Sequence, residues 1–354
     1  MNAPDRRHQP GRKLSSTKKA AFVGLFLAIL GAVVLVTAEL AFRLRGAKAW
    51  TVNPVKVQVD PGGKFFQSDS LLGYRHLPGT FSITIEGSYQ FQATHGADSL
   101  RITHAPLPSD ARATGDCEQI WLFGCSFTHG WSVNDDETFA WQLQTAFPEF
   151  EVINYGVNGY GTIHSLIQLR EALKTKSPRL VVLIYAGFHD SRNAFTRARR
   201  KTLAPYNQLG PLVQPYARLD QTGALEFHFA DVEYRPFPFM RYSSFIHELE
   251  KKYNDWESAH ARPQDVSRAL VKEIHRLTSA HSLTLGIATI AEGDHMRAFA
   301  HQEGIPTRDI ALDLNRPENT NQPFDPHPSA LAHRQYATDL ADFIKELLSL
   351  DPSP

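Results

Sequence analysis

The sequence predicts an α/β protein built on a doubly wound, flavodoxin-like parallel sheet flanked by helices. From residue 118 onward, short apolar runs alternate with segments of helical composition, which is the pattern of βαβ units. The run at 180–185 is apolar throughout, as expected for a strand that is buried on both faces of a parallel sheet. In such sheets the ligand site lies beyond the carboxyl ends of the strands.

The individual elements follow from apolar periodicity within residues 116–350. Predicted strands lie at 120–123, 152–153, 180–185, 283–289 and 310–314, and predicted helices lie at 137–147, 162–174, 266–280 and 329–348. Residues 192–262 interrupt this alternation, because the segment is polar and aromatic and keeps neither the helical nor the strand period for long. We interpret it as an insertion at the carboxyl edge of the sheet.

The N-terminal region has the composition of a membrane anchor. Residues 1–19 carry a net charge of +5, and residues 20–38 are apolar and uncharged, long enough as a helix to span about 28 Å. We expect a basic cytoplasmic tail at 1–19, a single transmembrane signal-anchor helix at 20–42 and a body on the periplasmic side. A cleaved signal peptide is the alternative, since Val36-Thr37-Ala38 has the spacing that signal peptidase favours. The mildly acidic body argues against a nucleic-acid partner.

Residues 46–115 are predicted to form a small β-rich module. Phe81, Ile83 and Ile85 alternate with polar residues, and Glu86-Gly87-Ser88 then provides a turn into a second alternating run. This pattern is typical of a β-hairpin with one buried face.

The two cysteines, Cys117 and Cys125, are expected to be free. They lie eight positions apart on what the sequence predicts as one strand, which would separate them by about 26 Å, well beyond the ~7 Å that a disulfide permits. Cysteine and histidine spacing indicates no metal site, and no cofactor is expected.

Ser126 stands at a predicted turn from strand to helix, in Gly124-Cys125-Ser126-Phe127-Thr128, directly after the apolar run at 120–123. A hydroxyl in this position is exposed at the sheet edge, and the N-terminus of the following helix offers backbone N–H groups to an oxyanion. Taken alone, the same pattern also fits a serine that caps a helix in a tight loop.

Four segments in order resemble the motifs of the SGNH (GDSL-like) hydrolases, membrane-anchored bacterial members included. They are Gly124-Cys125-Ser126-Phe127-Thr128, Asn154-Tyr155-Gly156-Val157-Asn158-Gly159, Gly187-Phe188-His189-Asp190 and Asp325-Pro326-His327-Pro328. Two positions depart from the family pattern, since Cys125 replaces an Asp and His189 replaces an Asn. Leu72-Gly73-Tyr74-Arg75 and Asp98-Ser99-Leu100-Arg101 are similar to stretches that precede the catalytic domain in anchored members, a likeness that assigns them no catalytic role.

The resemblance implies roles for five residues. Ser126 would be the nucleophile, His327 the general base and Asp325 the group that orients the imidazole. The backbone N–H groups of Ser126 and Gly159 and the side chain of His189 would form the oxyanion hole. A histidine donor depends on tautomer and protonation, so activity at this site would be weakened or pH-tuned, unless His189 is only structural.

Other polar residues are weaker candidates. His129, His164, His295 and His333 are conceivable bases, with His333 better explained as a capping or surface residue, and Asp190 as a residue that orders its loop. A basic run, comprising Arg192, Arg197, Arg199, Arg200 and Lys201, fits either an ordinary solvated segment or contact with an anionic polysaccharide or phospholipid.

These features predict a serine esterase that works through an acyl-enzyme at the outer face of a membrane. The expected substrate is an acyl ester, most simply an acetyl ester, on a glycan or lipid. An O-acyltransferase with the same three residues and a non-catalytic binding module are the alternatives.

Overall fold

A computed structural model of the chain describes residues 15–52, 55–105, 117–206, 209–210 and 212–350. The strands are β1 (Val57–Asp60), β2 (Phe66–Asp69), β3 (Gly73–His76), β4 (Gly79–Ile85), β5 (Tyr89–His95), β6 (Gln119–Phe123), β7 (Glu151–Asn154), β8 (Leu180–Ala186), β9 (Val213–Leu219), β10 (Leu225–Asp231), β11 (Thr284–Ala291), β12 (Thr307–Asp309), β13 (Thr320–Asn321) and β14 (Asp325–Pro328). The α-helices are α1 (Ser16–Leu44), α2 (Ser126–His129), α3 (Phe139–Ala146), α4 (Thr162–Ala172), α5 (His189–Asn193), α6 (Arg197–Leu203), α7 (Ser244–Ala261), α8 (Pro263–Ala280), α9 (Asp294–Gln302) and α10 (Ala330–Leu350).

The central sheet has five parallel strands in the order β7-β6-β8-β11-β12, which confirms the predicted doubly wound topology. One face is covered by α3 and α10, which contribute Leu143 and Leu340 to the core, and the other by α4 and α8, which contribute Leu166 and Leu270. The chain order reverses between β6 and β8. The crevice beyond the carboxyl ends of these two strands is therefore the place where this topology forms ligand sites.

The predicted strand at 310–314 is wrong, because the edge strand β12 ends at Asp309. Ile310 is buried, but its neighbours do not continue the ladder. The carboxylate of Asp309 accepts a hydrogen bond from the backbone N–H of Ala311 at 3.3 Å, a turn that ends the strand. Apolar residues in the following loop gave the misleading signal.

The insertion at 192–262 contains more regular structure than its sequence pattern indicated. It includes α6, the hairpin β9-β10 and the 18-residue helix α7. The described side chains of α7 that are buried are those of Ser244 and Glu250, so the helix lacks the apolar stripe by which a helix is usually predicted.

The segment ahead of the sheet forms the β-rich structure that the sequence predicted. Strands β4 and β5 pair as a hairpin, and β1 pairs with β4. The turn places Glu86 and Gly87 at φ values of 49° and 73°, as a tight hairpin turn requires. Ile83 and Ile85 are fully buried, and Trp131, which follows α2, packs into the same cluster.

Arg101 joins this β-rich segment to the residues around α2. Its side chain is buried, and its Nε donates to the Asp135 carboxylate at 3.0 Å. The remaining guanidinium N–H groups donate to the backbone carbonyls of Gln92 at 2.9 Å, Val133 at 2.8 Å, His129 at 3.2 Å and Gly130. All five N–H donors of the arginine therefore have acceptors.

The N-terminal helix forms a separate compact unit with Arg235–Tyr253. Within the described residues, α1 is the one helix long and apolar enough to cross a membrane, which is compatible with an anchor or a signal sequence. Near its C-terminal end, the Glu39 carboxylate accepts hydrogen bonds from the backbone N–H groups of Ser244 at 3.0 Å and Phe245 at 2.9 Å. Glu39 thus caps the first turn of α7.

Replacing Arg101 by Met is expected to lower the free energy of unfolding by about 3–5 kcal/mol, because three buried carbonyls, the Gln92 carbonyl and the Asp135 carboxylate lose their donor. The control is Arg316→Met, since the Arg316 side chain is 67% exposed and lies 3.8 Å from Asp313. That change should stay within about 0.5 kcal/mol. Chemical denaturation of the full-length protein in detergent measures both values. Equal losses in the two variants would contradict the role assigned to Arg101.

Candidate active site

Ser126, His327 and Asp325 form a hydrogen-bonded chain at the carboxyl end of β6. The Ser126 Oγ lies 2.9 Å from the His327 Nε2, and the His327 Nδ1 lies 2.7 Å from the Asp325 Oδ1. Ser126 is 4% exposed and the His327 side chain is 25% exposed, so the imidazole edge reaches solvent while the carboxylate is buried. The three residues stand in the order of nucleophile, base and orienting acid.

Several donors fix the Asp325 carboxylate. Its Oδ1 accepts from the backbone N–H of His327 at 2.9 Å and from the Ser132 hydroxyl at 3.2 Å, and its Oδ2 accepts from the Trp131 indole at 3.2 Å. Burial raises the pKa of Asp325, but the hydrogen bonds and charge of His327 and the bond from Trp131 outweigh this and lower the pKa. The group is therefore ionised at neutral pH and holds the proton of His327 on Nδ1.

Local sequence explains the placement of Ser126. It is the first residue of α2, immediately after the buried strand β6 and the turn at Gly124-Cys125. Within the described residues its backbone N–H has no hydrogen-bond partner, as expected at a helix N-terminus. Gly156 lies so close to α2 that a Cβ there would collide with the backbone of His129. The second motif therefore needs a glycine at this position to pack against α2.

Gly159 presents a second unpaired backbone N–H within the described part of the chain. Its φ of 84° lies in the left-handed region, which favours glycine. The Tyr74 hydroxyl donates to the neighbouring carbonyl of Asn158 at 2.5 Å, and the Arg199 guanidinium donates to the carbonyl of Gly159 at 2.8 Å. These two hydrogen bonds occupy both carbonyl oxygens and hold the loop in one conformation.

His189 begins α5, and its ring is fully buried against those of Tyr185 and Phe188. Neither ring nitrogen has a hydrogen-bond partner among the described residues. Burial, followed by the positive charge of Arg192, lowers its pKa well below the ordinary value, and His164 and Arg199 act in the same direction. The imidazole is neutral at physiological pH. The sequence-based expectation of pH-tuned activity through His189 is therefore not supported.

Two arginines of the basic run point inward, whereas the sequence suggested either a solvated segment or a surface that contacts an anionic polysaccharide or phospholipid. Arg192 donates to the Tyr160 carbonyl at 2.8 Å, and Arg199 donates to the Gly159 carbonyl. Arg200 lies 3.7 Å from the Glu257 carboxylate. Two of the arginines thus support the Gly159 loop.

The other histidines do not contact the Ser126 hydroxyl. His164 stacks on Tyr160, with ring centroids 4.1 Å apart, and His295 lies 3.1 Å from the Asp190 carboxylate. His333 is fully buried, so its assignment to the surface is wrong, but its Nδ1 accepts from the backbone N–H of Phe139 and caps α3. The Asp190 carboxylate accepts a hydrogen bond from the Tyr185 hydroxyl and so connects α5 to β8.

Both cysteines are free, as predicted, with Cys117 exposed and Cys125 buried. Cys117 precedes strand β6 and Cys125 follows it, so the length of the strand separates the two thiols.

Sequence reasoning missed Trp131 and Ser132, which contact Asp325. It named Arg192 and Arg199 but did not foresee that they contact the Gly159 loop. Position in the chain gave a partial signal, since Trp131 and Ser132 follow the first motif and the arginines follow the third. Their partners lie far away in sequence, so the contacts themselves were not predictable from spacing.

Comparison with family models and with curated protein sequences gave no match. Among solved structures, the chain is similar to a lipolytic protein of the G-D-S-L family from Desulfitobacterium hafniense, at a TM-score of 0.38 and 12% identity, covering 63% of this chain and 98% of that one. It is also similar to a psychrotrophic esterase from Pseudoalteromonas sp., at a TM-score of 0.38 and 13% identity, covering 66% and 99% of the two chains. Likeness of this extent assigns no activity to this chain.

Proposed function

We propose that this protein is a serine esterase of the SGNH type. The observation that carries the proposal is the Ser126-His327-Asp325 chain, with successive distances of 2.9 and 2.7 Å, at the switch point of the sheet. A non-catalytic binding module has no need for a buried carboxylate that fixes an imidazole against a serine hydroxyl. The order of the four motifs along the chain supports the same family.

The proposed reaction follows from this geometry. The Ser126 Oγ attacks the acyl carbon while the His327 Nε2 takes its proton, and Asp325 stabilises the imidazolium that forms. The negative oxygen of the tetrahedral intermediate accepts from the unpaired N–H groups of Ser126 and Gly159, with a ring N–H of His189 as the third donor. The alcohol leaves with the proton from His327, and water then hydrolyses the acyl-enzyme by the same steps.

The proposed substrate is an acyl ester, such as an acetyl ester, on an extracytoplasmic glycan or lipid. The proposed location supports this choice, because a domain exported to the outer face of a membrane would meet acylated glycans and lipids. The asymmetry of basic residues around α1 favours a cytoplasmic N-terminus and a periplasmic body.

Contacts within the N-terminal unit favour a retained membrane anchor. The helix α1 continues unbroken through Val36-Thr37-Ala38 to Leu44. At its end Arg43 donates to the Tyr242 carbonyl at 2.9 Å, and the side chains of Tyr242 and Phe239 are 77% and 72% exposed. Exposed aromatic rings beside the end of a spanning helix fit the membrane-water interface.

The first prediction concerns Ser126→Ala in the full-length protein. The variant is expected to lose labelling by a fluorophosphonate probe and to retain less than about a thousandth of the rate on short aryl esters, since the nucleophile is gone. Its thermal unfolding should match wild type because Ser126 supports no core packing. Peptide mapping of the labelled wild type should identify Ser126.

The matched control is Ser165→Ala, which removes another buried hydroxyl, one without a partner in the described structure. This variant should keep labelling and rate. Residual activity of Ser126→Ala above about a tenth of wild type would exclude the proposed nucleophile. Turnover that appears only when a sugar acceptor is added would instead indicate an acyltransferase.

The second prediction concerns His189, which replaces the family's Asn. If a ring N–H donates to the oxyanion, His189→Asn should keep or raise kcat, whereas His189→Ala should lower it by roughly 10- to 1000-fold with a smaller change in KM. Because the lowered pKa keeps His189 neutral at neutral pH and above, the pH profiles of wild type and His189→Asn should run parallel in that range. Equal rates for all three proteins would assign His189 a purely structural role.

The third prediction concerns the anchor. The mature protein should begin at Met1 or Asn2 and remain in the membrane fraction after a high-salt wash, because an apolar span is not released by charge screening. N-terminal sequencing and fractionation provide the measurement. A mature N-terminus at Glu39 would show that α1 is a cleaved signal.

A further inference from the structure

Three histidines that the proposed reaction does not use converge in the interior. His76 ends β3, His95 ends β5 and His129 ends α2. One ring nitrogen from each residue lies within 4.8 Å of the other two, and the three side chains are 0%, 3% and 0% exposed. We refer to these residues as the imidazole cluster. Their spacing along the chain resembles no metal motif, because strand pairing brings them together.

Hydrogen bonding fixes which nitrogen His95 can offer. Its Nδ1 lies 2.9 Å from the Leu77 carbonyl oxygen, and since a carbonyl only accepts, this Nδ1 carries the proton. The lone pair of the neutral ring is then on Nε2, which faces the His129 Nε2 at 3.0 Å. A histidine that donates one N–H to a backbone carbonyl and turns its other nitrogen inward is the usual arrangement of a metal ligand.

Other nitrogens of the cluster have no partner. Within the described residues, the two ring nitrogens of His76 make no well-formed hydrogen bond, and neither does the Nδ1 of His129. The side chain of Asn158 lies next to His76, and its amide oxygen is likewise unpaired. Buried polar atoms without partners cost free energy, so a group that takes up their lone pairs would stabilise this region.

The distances suit one small cation. Two imidazole nitrogens bound to a tetrahedral zinc at about 2.0–2.1 Å lie about 3.3 Å apart, close to the separation of the His95 and His129 nitrogens. His76 now stacks on His95 with ring centroids 4.3 Å apart, so its ring would have to rotate about its side-chain bonds to direct a lone pair at the ion.

The three imidazole ligands restrict which metal ions can bind. Imidazole nitrogens suit zinc, copper, iron or nickel, whereas calcium and magnesium require oxygen ligands. Burial lowers the pKa of His129 and His95, and the charge of Arg101, partly offset by Asp135 at 3.0 Å, acts in the same direction. An ion without a strong geometric preference, zinc(II) or copper(I), fits a site in which the fold fixes the ligand positions.

We propose that His76, His95 and His129 form a buried structural site for one zinc or copper ion. The ion would join β3 and β5 to α2, the helix that begins with Ser126. It would hold the position of the helix without contacting a substrate, and the assignment stands independently of the proposed esterase activity.

The test measures metal in the full-length protein, purified in detergent with an affinity tag that contains no histidine. Elemental analysis should find about one equivalent of zinc or copper per chain, and which of the two it finds identifies the ion. His76→Gln, His95→Gln and His129→Gln should each reduce it at least fivefold. The matched control is His333→Gln, since His333 is equally buried and also has an unpaired ring nitrogen but lies outside the cluster. This variant should keep the full equivalent.

A second measurement needs no variant and therefore does not depend on how the substitutions fold. Wild-type protein stripped with a chelator should show a lower Tm, and zinc or copper(I) at about 100 times its Kd should restore it by several degrees. Cobalt(II) added to the stripped protein should give the visible absorption of a four-coordinate site. Metal retained by all three variants, or wild type with neither bound metal nor a Tm response, would overturn the proposal in favour of a stack of neutral imidazoles.

Discussion

The buried guanidinium of Arg101 is the interaction on which the geometry of the candidate site depends. A charge in the protein interior is tolerated only if its hydrogen bonds are complete, and here all five N–H groups find acceptors. The acceptors belong to the β-rich segment, to the end of α2 and to the loop that follows it. Because a partial set of acceptors would leave N–H groups of the buried guanidinium without partners, these three segments must pack around Arg101 together.

This arrangement explains why Asp325 is well oriented. Arg101 holds the backbone of the 129–135 segment through the carbonyls of Gly130 and Val133. Trp131 and Ser132 lie between those two residues in the sequence, and their side chains donate to Asp325. Ser132 has a φ of 65°, a conformation that a non-glycine residue keeps only when its surroundings determine it. The carboxylate therefore meets donors whose positions are already set, which is what a positioned imidazole requires.

The sequence predicted the parts of this structure that depend on local pattern. Continuous apolar runs identified β6 and β8, and the run before Ser126 placed that residue at a turn from strand to helix, whereas His327 was identified only by the motif resemblance. The helix α7 was missed because it lacks a buried apolar stripe, and because Glu39, which caps its first turn, lies 205 residues away from Ser244 in the sequence. Contacts such as Arg101 with Val133 depend on which segments pack together, and a single sequence carries no direct signal for that pairing.

Charge near Gly159 explains how a histidine can stand where the family pattern has an asparagine. Burial, together with the charge of Arg192, lowers the pKa of Arg199 to about 10, so its guanidinium remains charged at neutral pH. Arg199 and Arg192 donate to the carbonyls of Gly159 and Tyr160, which places two positive charges beside the proposed oxyanion position. At the low effective dielectric constant of a protein interior, such charges stabilise developing negative charge more strongly than they would in solution. In the proposed mechanism, a neutral imidazole with one N–H would then be sufficient as the third donor.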